Sequence, residues 1–296
     1  MSPATRRSLG RDDLVLCAGT IPNASFRERV AAARAGGFAG ISLRVRDYAR
    51  AHAEEGLSDD DVRALLDEHA LAVAELEVLS DWRPGAQVGR RQARADEVFA
   101  VAEAIGARSI SVVDGPGEPL ATEPAAEAFA ALCDRAAPLG LLLHLEFWPG
   151  SGVDLATAAR IVAAADRPNG GILVDTWHLA RTARGDELLR EVPGKRVLAL
   201  QVSDSPRVAG PEPDYMAATL ERRLVPGEGA LDLAGFIRRL DAGGCEAPVG
   251  VEVWSKALAA APPLEVARRV GDAMRAVLAA ARGDCVSRGA RRVSPP

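Results

Sequence analysis

Eight short runs of β type alternate with longer helical patterns from residue 14 to about residue 280, and the alternation never breaks into two blocks. The runs are Leu14 to Gly19, Ala39 to Arg44, Leu71 to Leu79, Ser109 to Asp114, Leu141 to Phe147, Gly171 to Trp177, Val197 to Asp204 and Pro248 to Trp254. Strand and helix in strict succession is the pattern of a parallel sheet built from βα units. Eight such units, about 37 residues apart, suit a closed eight-stranded barrel better than an open sheet. The fold class expected is therefore α/β, a (β/α)8 barrel, as a single domain over residues 12–282. A tail at 283–296 without apolar period is expected to be disordered.

The intervening stretches are rich in alanine and arginine, with apolar residues at i, i+3 and i+4, as helices packing one stripe on strands require. Ser58 followed by Asp59, Asp60 and Asp61 marks a helix start with an N-cap and an acidic first turn. Gly36-Gly37, Gly106 and Gly243-Gly244 suit helix stops. One connection breaks the rhythm. The 26 residues from Ser205 to Ala230 are rich in Pro, Gly and charge, and connections of that length are commonly functional or disordered.

Composition narrows the function. With 36 basic against 41 acidic residues the net charge is −5, which lacks the electrostatic footprint of a general nucleic-acid binder. Cys17, Cys133, Cys245 and Cys285 are dispersed, no CxxC pair occurs, and no apolar leader follows the two N-terminal arginines. No apolar run is long enough to span a bilayer. A reduced, cytoplasmic, membrane-free protein is expected, with a homo-oligomer left open. Only His52, His69, His144 and His178 are histidines, so a mechanism needing a dense histidine cluster is disfavoured.

In a parallel barrel the reactive groups sit at the C-terminal strand ends. There the fifth run, LLLHLEFW, carries Glu146; the sixth, GILVDTWH, carries Asp175; the seventh, VLALQVSD, carries Gln201; the eighth, VGVEVW, carries Glu252. Facing inward, three carboxylates and an amide converge at one mouth, and the carboxylates would repel unless a cation lies among them. A divalent metal is the simplest such cation. Oxygen donors without thiolate favour Mg2+ or Mn2+, with Co2+ or Zn2+ possible. His144 reads as a buried layer residue beneath the mouth, and His178, at the start of a loop, as a substrate contact.

The segments LEFWPG, LVDTWHLARTARGD, LQVSDSPR, RLVPGEGALDL and VGVEVWS, in this order and spacing, resemble the xylose isomerase-like TIM-barrel superfamily over residues 12–280. That group of sugar phosphate isomerases and epimerases also contains endonuclease IV and several dehydratases. The resemblance implies that Glu146, Asp175, Gln201 and Glu252 bind one divalent metal and that His178 contacts substrate. It also matches Arg207 to a substrate-binding arginine of some epimerases. Many sugar epimerases carry histidine where Gln201 stands, whereas a dehydroshikimate dehydratase branch carries glutamine. The endonuclease uses several histidines in a trinuclear zinc site, and here only His178 falls in a matching position, which counts against a DNA-repair nuclease.

Trp82, Trp148, Trp177 and Trp254 lie at or just past strand ends, where Trp148, Trp177 and Trp254 are candidates to wall a pocket against a sugar or cyclitol ring. The stretch Arg44 to Arg50 is a candidate carboxylate or phosphate clamp. Glu228 is expected to organise the long loop, and Lys256 carries no sign of desolvation. The leading expectation is a metal-dependent isomerase or epimerase of a small keto sugar, keto-polyol or sugar phosphate. It would work by proton transfer through a metal-stabilised enediolate, with Glu146 and Glu252 as base and acid. The alternative is a dehydratase of a cyclic ketone such as dehydroshikimate or an inosose. A non-catalytic sugar-binding barrel is the third reading.

Overall fold

A computed structural model describes residues 8–83, 88–207 and 214–283. Eight parallel strands close into a barrel in sequence order: β1 Leu14–Leu16, β2 Gly40–Arg44, β3 Ala72–Leu79, β4 Ser109–Val113, β5 Leu142–Glu146, β6 Gly170–Asp175, β7 Val197–Val202 and β8 Val249–Val251. β1 pairs with both β2 and β8, which closes the ring. The (β/α)8 barrel expected from the alternation is the fold observed. Three expectations need adjustment. β1 and β8 are shorter than their apolar runs, so Glu252 lies one residue past its strand. The Arg44 to Arg50 clamp candidate, expected as the loop after the second strand, is helical, because the helix Val45–Glu55 starts directly after β2. The long connection after β7 contains a helix, Tyr215–Glu221. The expected disordered tail lies outside the described residues from residue 284 onward.

Local signals act as anticipated. Ser58 accepts from the Asp61 N–H, and the Asp61 carboxylate returns to Ser58 N, a reciprocal cap that starts the helix Asp59–Glu68. Outward residues such as Leu16, Ile41, Leu43, Ile110, Val112, Leu143, Leu145, Ile172, Val174 and Val251 join the helices in one apolar core. Alternation then turns the other residues inward. Among these are Cys17, Ser42, Glu75, Glu77, Ser109, Ser111, His144, Asp175, Gln201 and Glu252, all buried. Barrels usually fill that space with branched apolar side chains, so this interior is polar to an unusual degree.

Gly250 shows how tightly the interior is closed. A β-carbon there would fall inside van der Waals contact of the Leu200 carbonyl oxygen and 2.8 Å from Cys17 Sγ. The backbone oxygen cannot yield. Gly250→Ala is expected to cost about 1–3 kcal/mol through overpacking, read as a lowered denaturant midpoint; an unchanged midpoint would show that the barrel yields there.

Candidate active site and metal centre

The upper rim of β5 to β8 brings together the carboxylates that period-two alternation pointed inward. One oxygen each from Glu146 and Asp175 and a ring nitrogen of His178 lie within 4.8 Å of one another. His178 Nε2 is 3.6 Å from Glu146 Oε1 and 3.6 Å from Asp175 Oδ2. Asp175 also caps the short helix Thr176–Leu179, accepting from Trp177 N at 2.7 Å, which fixes its rotamer and places His178 one turn on. Gln201 pairs in register with Asp175 and with Gly250. Its Oε1 is buried and has no hydrogen-bond partner. An unpaired buried amide oxygen in register with Asp175 adds a neutral oxygen donor to the two carboxylates and the histidine, whereas Glu252 stands outside that close group. The residues present therefore fit a hard divalent cation.

The cation among the carboxylates is not left wholly to a metal, because Arg223 inserts between two of them. Its Nη1 lies 2.6 Å from Asp175 Oδ2 and 3.1 Å from Glu252 Oε2, and its side chain is only 2% exposed. Burial alone would pull this guanidinium down, but Asp175 and Glu252 outweigh that and hold it above its usual range. Glu252 is pushed well above the ordinary carboxylate range, chiefly by burial, with Arg223 opposing and Glu77 and Asp175 adding repulsion.

Arg223 arrives on the segment after β7. Asp204 gathers that segment by accepting from the backbone N–H groups of Ser205, Gly227 and Leu231. The backbone then crosses to β8, with Arg223 N donating to the Trp254 carbonyl. Glu228 ties the same loop to Arg269 on the helix Pro263–Arg282, as its expected organising role requires. Arg207, the arginine matched from sequence, is exposed instead.

Two further carboxylates escaped the sequence reading. Glu75 and Glu77 on β3 both face the barrel interior. Burial raises both, Glu77 to about 7 despite Ser42 and Arg44, and Glu75 well above the ordinary carboxylate range, with Glu77 adding to it. Glu77 Oε1 accepts from Ser42 Oγ at 2.5 Å. Below the rim, His144 is fully buried with Nε2 3.1 Å from Ser109 Oγ, and burial with Arg108 pushes it down to about 3. It is a neutral layer residue.

The tryptophans divide. Trp148 is partly exposed, anchored through Nε1 to the Asp114 carbonyl at 2.9 Å, and stacks on Tyr215 with ring centroids 5.9 Å apart. Trp254 is partly exposed under Arg44, 5.8 Å from the guanidinium carbon, and packs so closely on Gly19 that no side chain fits there. Trp177 is only 1% exposed, with Arg181 stacked 3.3 Å from the ring centroid, so it offers a substrate no open face and its expected stacking role is withdrawn. Arg44 is a poor free clamp, because Asp47 already engages its Nε and Nη2 at 2.8 and 2.9 Å. Lys256 is exposed, which removes any ground for a desolvated amine.

A parallel (β/α)8 barrel whose C-terminal mouth holds converging carboxylates, an amide oxygen and a histidine defines a class of barrels built for chemistry at that mouth. The chain belongs to the xylose isomerase-like TIM-barrel family, whose model matches residues 30–277. It is 28% identical over 254 residues to a 3-dehydroshikimate dehydratase of Pseudomonas aeruginosa, covering 84% of this chain and 38% of that protein. It is 29% identical over 128 residues to an inosose isomerase of Bacillus subtilis, covering 42% and 44% of the two chains. The chain thus spans about two fifths of the length of these relatives. Among solved structures, the IOLI protein with a bound zinc atom superposes with a TM-score of 0.81 at 20% identity, over 90% of this chain and 98% of that one, a likeness of fold.

Proposed function

We propose that this chain is a divalent-metal-dependent enzyme that removes a proton from the carbon beside the carbonyl of a small polyhydroxylated ketone. The observation that carries this is the convergence of Glu146, Asp175 and His178 within 4.8 Å beside the unpartnered oxygen of Gln201. Glu146, Asp175, Gln201 and Glu252 would hold the ion, Mn2+ or Mg2+ by their oxygen chemistry, with Co2+ or Zn2+ as other occupants. When bound, it supplies Lewis-acid polarisation of the substrate carbonyl.

The protein groups do the rest. Glu146 and Glu252 approach from different strands and act as the proton-transfer pair. Burial raises Glu252 while Arg223 opposes that rise, which sets it apart from an ordinary exposed carboxylate, and a carboxyl group tuned by its surroundings suits proton transfer. Arg223 keeps Asp175 and Glu252 in place, His178 binds a substrate oxygen, and Trp148 and Trp254 wall the ring. Arg207, on the exposed segment after Ser205, remains a candidate contact for a larger substrate.

Isomerisation or epimerisation would return a proton to carbon, whereas dehydration would expel a β-hydroxyl after the same first step. Dehydration of a cyclic ketone such as dehydroshikimate is favoured by glutamine at position 201 and by a dehydratase match that spans twice as much of this chain as the isomerase match. We place the protein in the cytoplasm, acting on a free carbohydrate or cyclitol without nucleic acid or membrane; no helix among the described residues is long and apolar enough to cross a membrane.

A panel of keto sugars, inososes and dehydroshikimate with manganese in deuterated water tests the reading. Deuterium is expected at the carbon next to the carbonyl, with ultraviolet absorbance of a conjugated enone marking dehydration. Absence of exchange with every ketone, in protein that binds manganese stoichiometrically, would overturn it.

A further inference from the structure

The two peptide planes that flank Glu252 fix where its side chain points, because only the φ and ψ of that residue lie between them. Glu252 needs such fixing. It stands one residue past β8, where the pairing of β8 with β1 stops at Val251 and Leu16. Beyond that rung the chain of β1 turns away into the single helical turn Ala18–Thr20. One hydroxyl on that turn takes over from the ladder.

Thr20 Oγ1 donates to the Val251 carbonyl at 2.9 Å and accepts from Val253 N–H at 2.9 Å. That direction is fixed, because a carbonyl oxygen only accepts and an amide N–H only donates. Thr20 thus grips the peptide before Glu252 and the peptide after it. The first plane has other holds, with Cys17 N–H on the Val251 carbonyl at 3.2 Å and Glu252 N–H on the Val202 carbonyl at 3.0 Å. The second rests on Thr20, since Arg223 Nη1 comes no closer than 3.5 Å to the Glu252 carbonyl.

The turn is braced from behind. Ser42 Oγ accepts from Ala18 N–H at 2.7 Å and donates to Glu77 Oε1, while Arg29 donates to the Ala18 and Ile21 carbonyls at 3.4 and 3.2 Å. Thr20, Ser42 and Arg29 are all fully buried. A guanidinium in the interior is costly, and this one, 3.8 Å from Asp47, directs two hydrogen bonds to the backbone of the turn. The same device recurs across the barrel. Thr176 Oγ1 donates to the Ser203 carbonyl at 2.7 Å and accepts from Ser203 N–H at 3.0 Å, where β6 has ended at Asp175 and β7 at Val202.

We infer that Thr20 is a positioning residue for Glu252: its hydroxyl, on a turn braced by Ser42 and Arg29, sets the backbone angle from which the carboxyl reaches Arg223 and the mouth. The placement stands on the hydrogen bonds alone, while its effect on turnover rests on the proposed function.

The test compares Thr20→Val, which removes the hydroxyl and keeps the shape, with Thr20→Ser, which keeps the hydroxyl. In crystal structures the Glu252 carboxyl is expected to stay 3.1 Å from Arg223 Nη1 in Thr20→Ser. In Thr20→Val it is expected to move by roughly 1 Å, a misplacement large enough to matter for chemistry. Hydrogen exchange of the Val253 amide should be slow in the wild type and in Thr20→Ser, and about 10-fold faster or more in Thr20→Val. An unmoved Glu252 in Thr20→Val overturns the proposal. A wild-type Val253 amide that exchanges like an exposed one does so even if Thr20→Val does not fold. Once a turned-over ketone is known, Thr20→Val should lower kcat by about 10- to 100-fold with little change in KM, and Thr20→Ser should stay near wild type. Adding Thr20→Val to Glu252→Gln should cost nothing further, because groups that act as a unit are not additive. An additive loss, or a Thr20→Ser protein as slow as Thr20→Val, overturns the route through Glu252. A failed ketone panel with the expected shift of Glu252 would fault the proposed reaction and leave the positioning role standing.

Discussion

Replacing Glu252 by glutamine is expected to lower turnover by about 100- to 10,000-fold, the usual worth of a positioned acid or base, while leaving the fold unchanged. The change keeps the shape of a side chain that is only 3% exposed and removes one buried negative charge. Arg223 retains Asp175 at 2.6 Å as its partner, so the loss does not strand the guanidinium. Circular dichroism melting should therefore stay close to wild type while proton exchange into the substrate disappears. A Glu252→Gln protein within threefold of wild-type turnover would remove Glu252 from the proton-transfer pair and leave Glu146 to act alone.

The largest stability effect is expected at Arg223. Arg223→Met keeps much of the volume but leaves Asp175 and Glu252, both almost fully buried, without their shared cation. Breaking a buried ion pair from one side costs about 3–5 kcal/mol. Part of that cost is avoidable, since a divalent ion bound by the same carboxylates restores positive charge among them. The expected result is a melting temperature well below wild type without metal, and a rise on adding manganese that is larger in Arg223→Met than in wild type, by linkage to binding. Equal shifts in the two proteins would show that the guanidinium and the ion do not share those carboxylates.

The barrel itself was legible because its signal is repeated eight times, and an error at any one strand does not change the count. The rim residues of β5 to β8 were legible for a related reason. A lone Glu, Asp or Gln at the end of an apolar run has a defined facing once the period of two is set. That same rule, applied to AVAELEVL, marks Glu75 and Glu77 as inward carboxylates, but they precede the strand end instead of finishing it, so a search of strand ends does not reach them. Arg223 and Tyr215 had no periodic signal. Both sit on an irregular connection, where side-chain direction depends on how Asp204 gathers the backbone and on how the chain crosses to Trp254. Arg207, matched through the family resemblance, lies on the same connection and is exposed. For Trp177, position at a strand end suggested a surface for stacking, but the following helix turns the indole into the protein.

The crossing from β7 to β8 gives the architecture a modular character. Strands β5 to β8 provide the acidic floor, whereas Tyr215, Thr219 and Arg223 all travel on one stretch of chain anchored at Asp204 and Trp254. Both anchors accept from backbone N–H groups of that stretch, so they place few demands on the identity of the side chains carried between them. A transplant of that single stretch between barrels of this family would exchange Tyr215, which is hydrogen-bonded to His178 Nδ1, and the buried cation together, while the oxygen donors on the strands stayed where they are. Divergence of function on this scaffold thus has a route that bypasses the barrel staves: one replaceable strap, with its own electrostatics, laid over a common mouth.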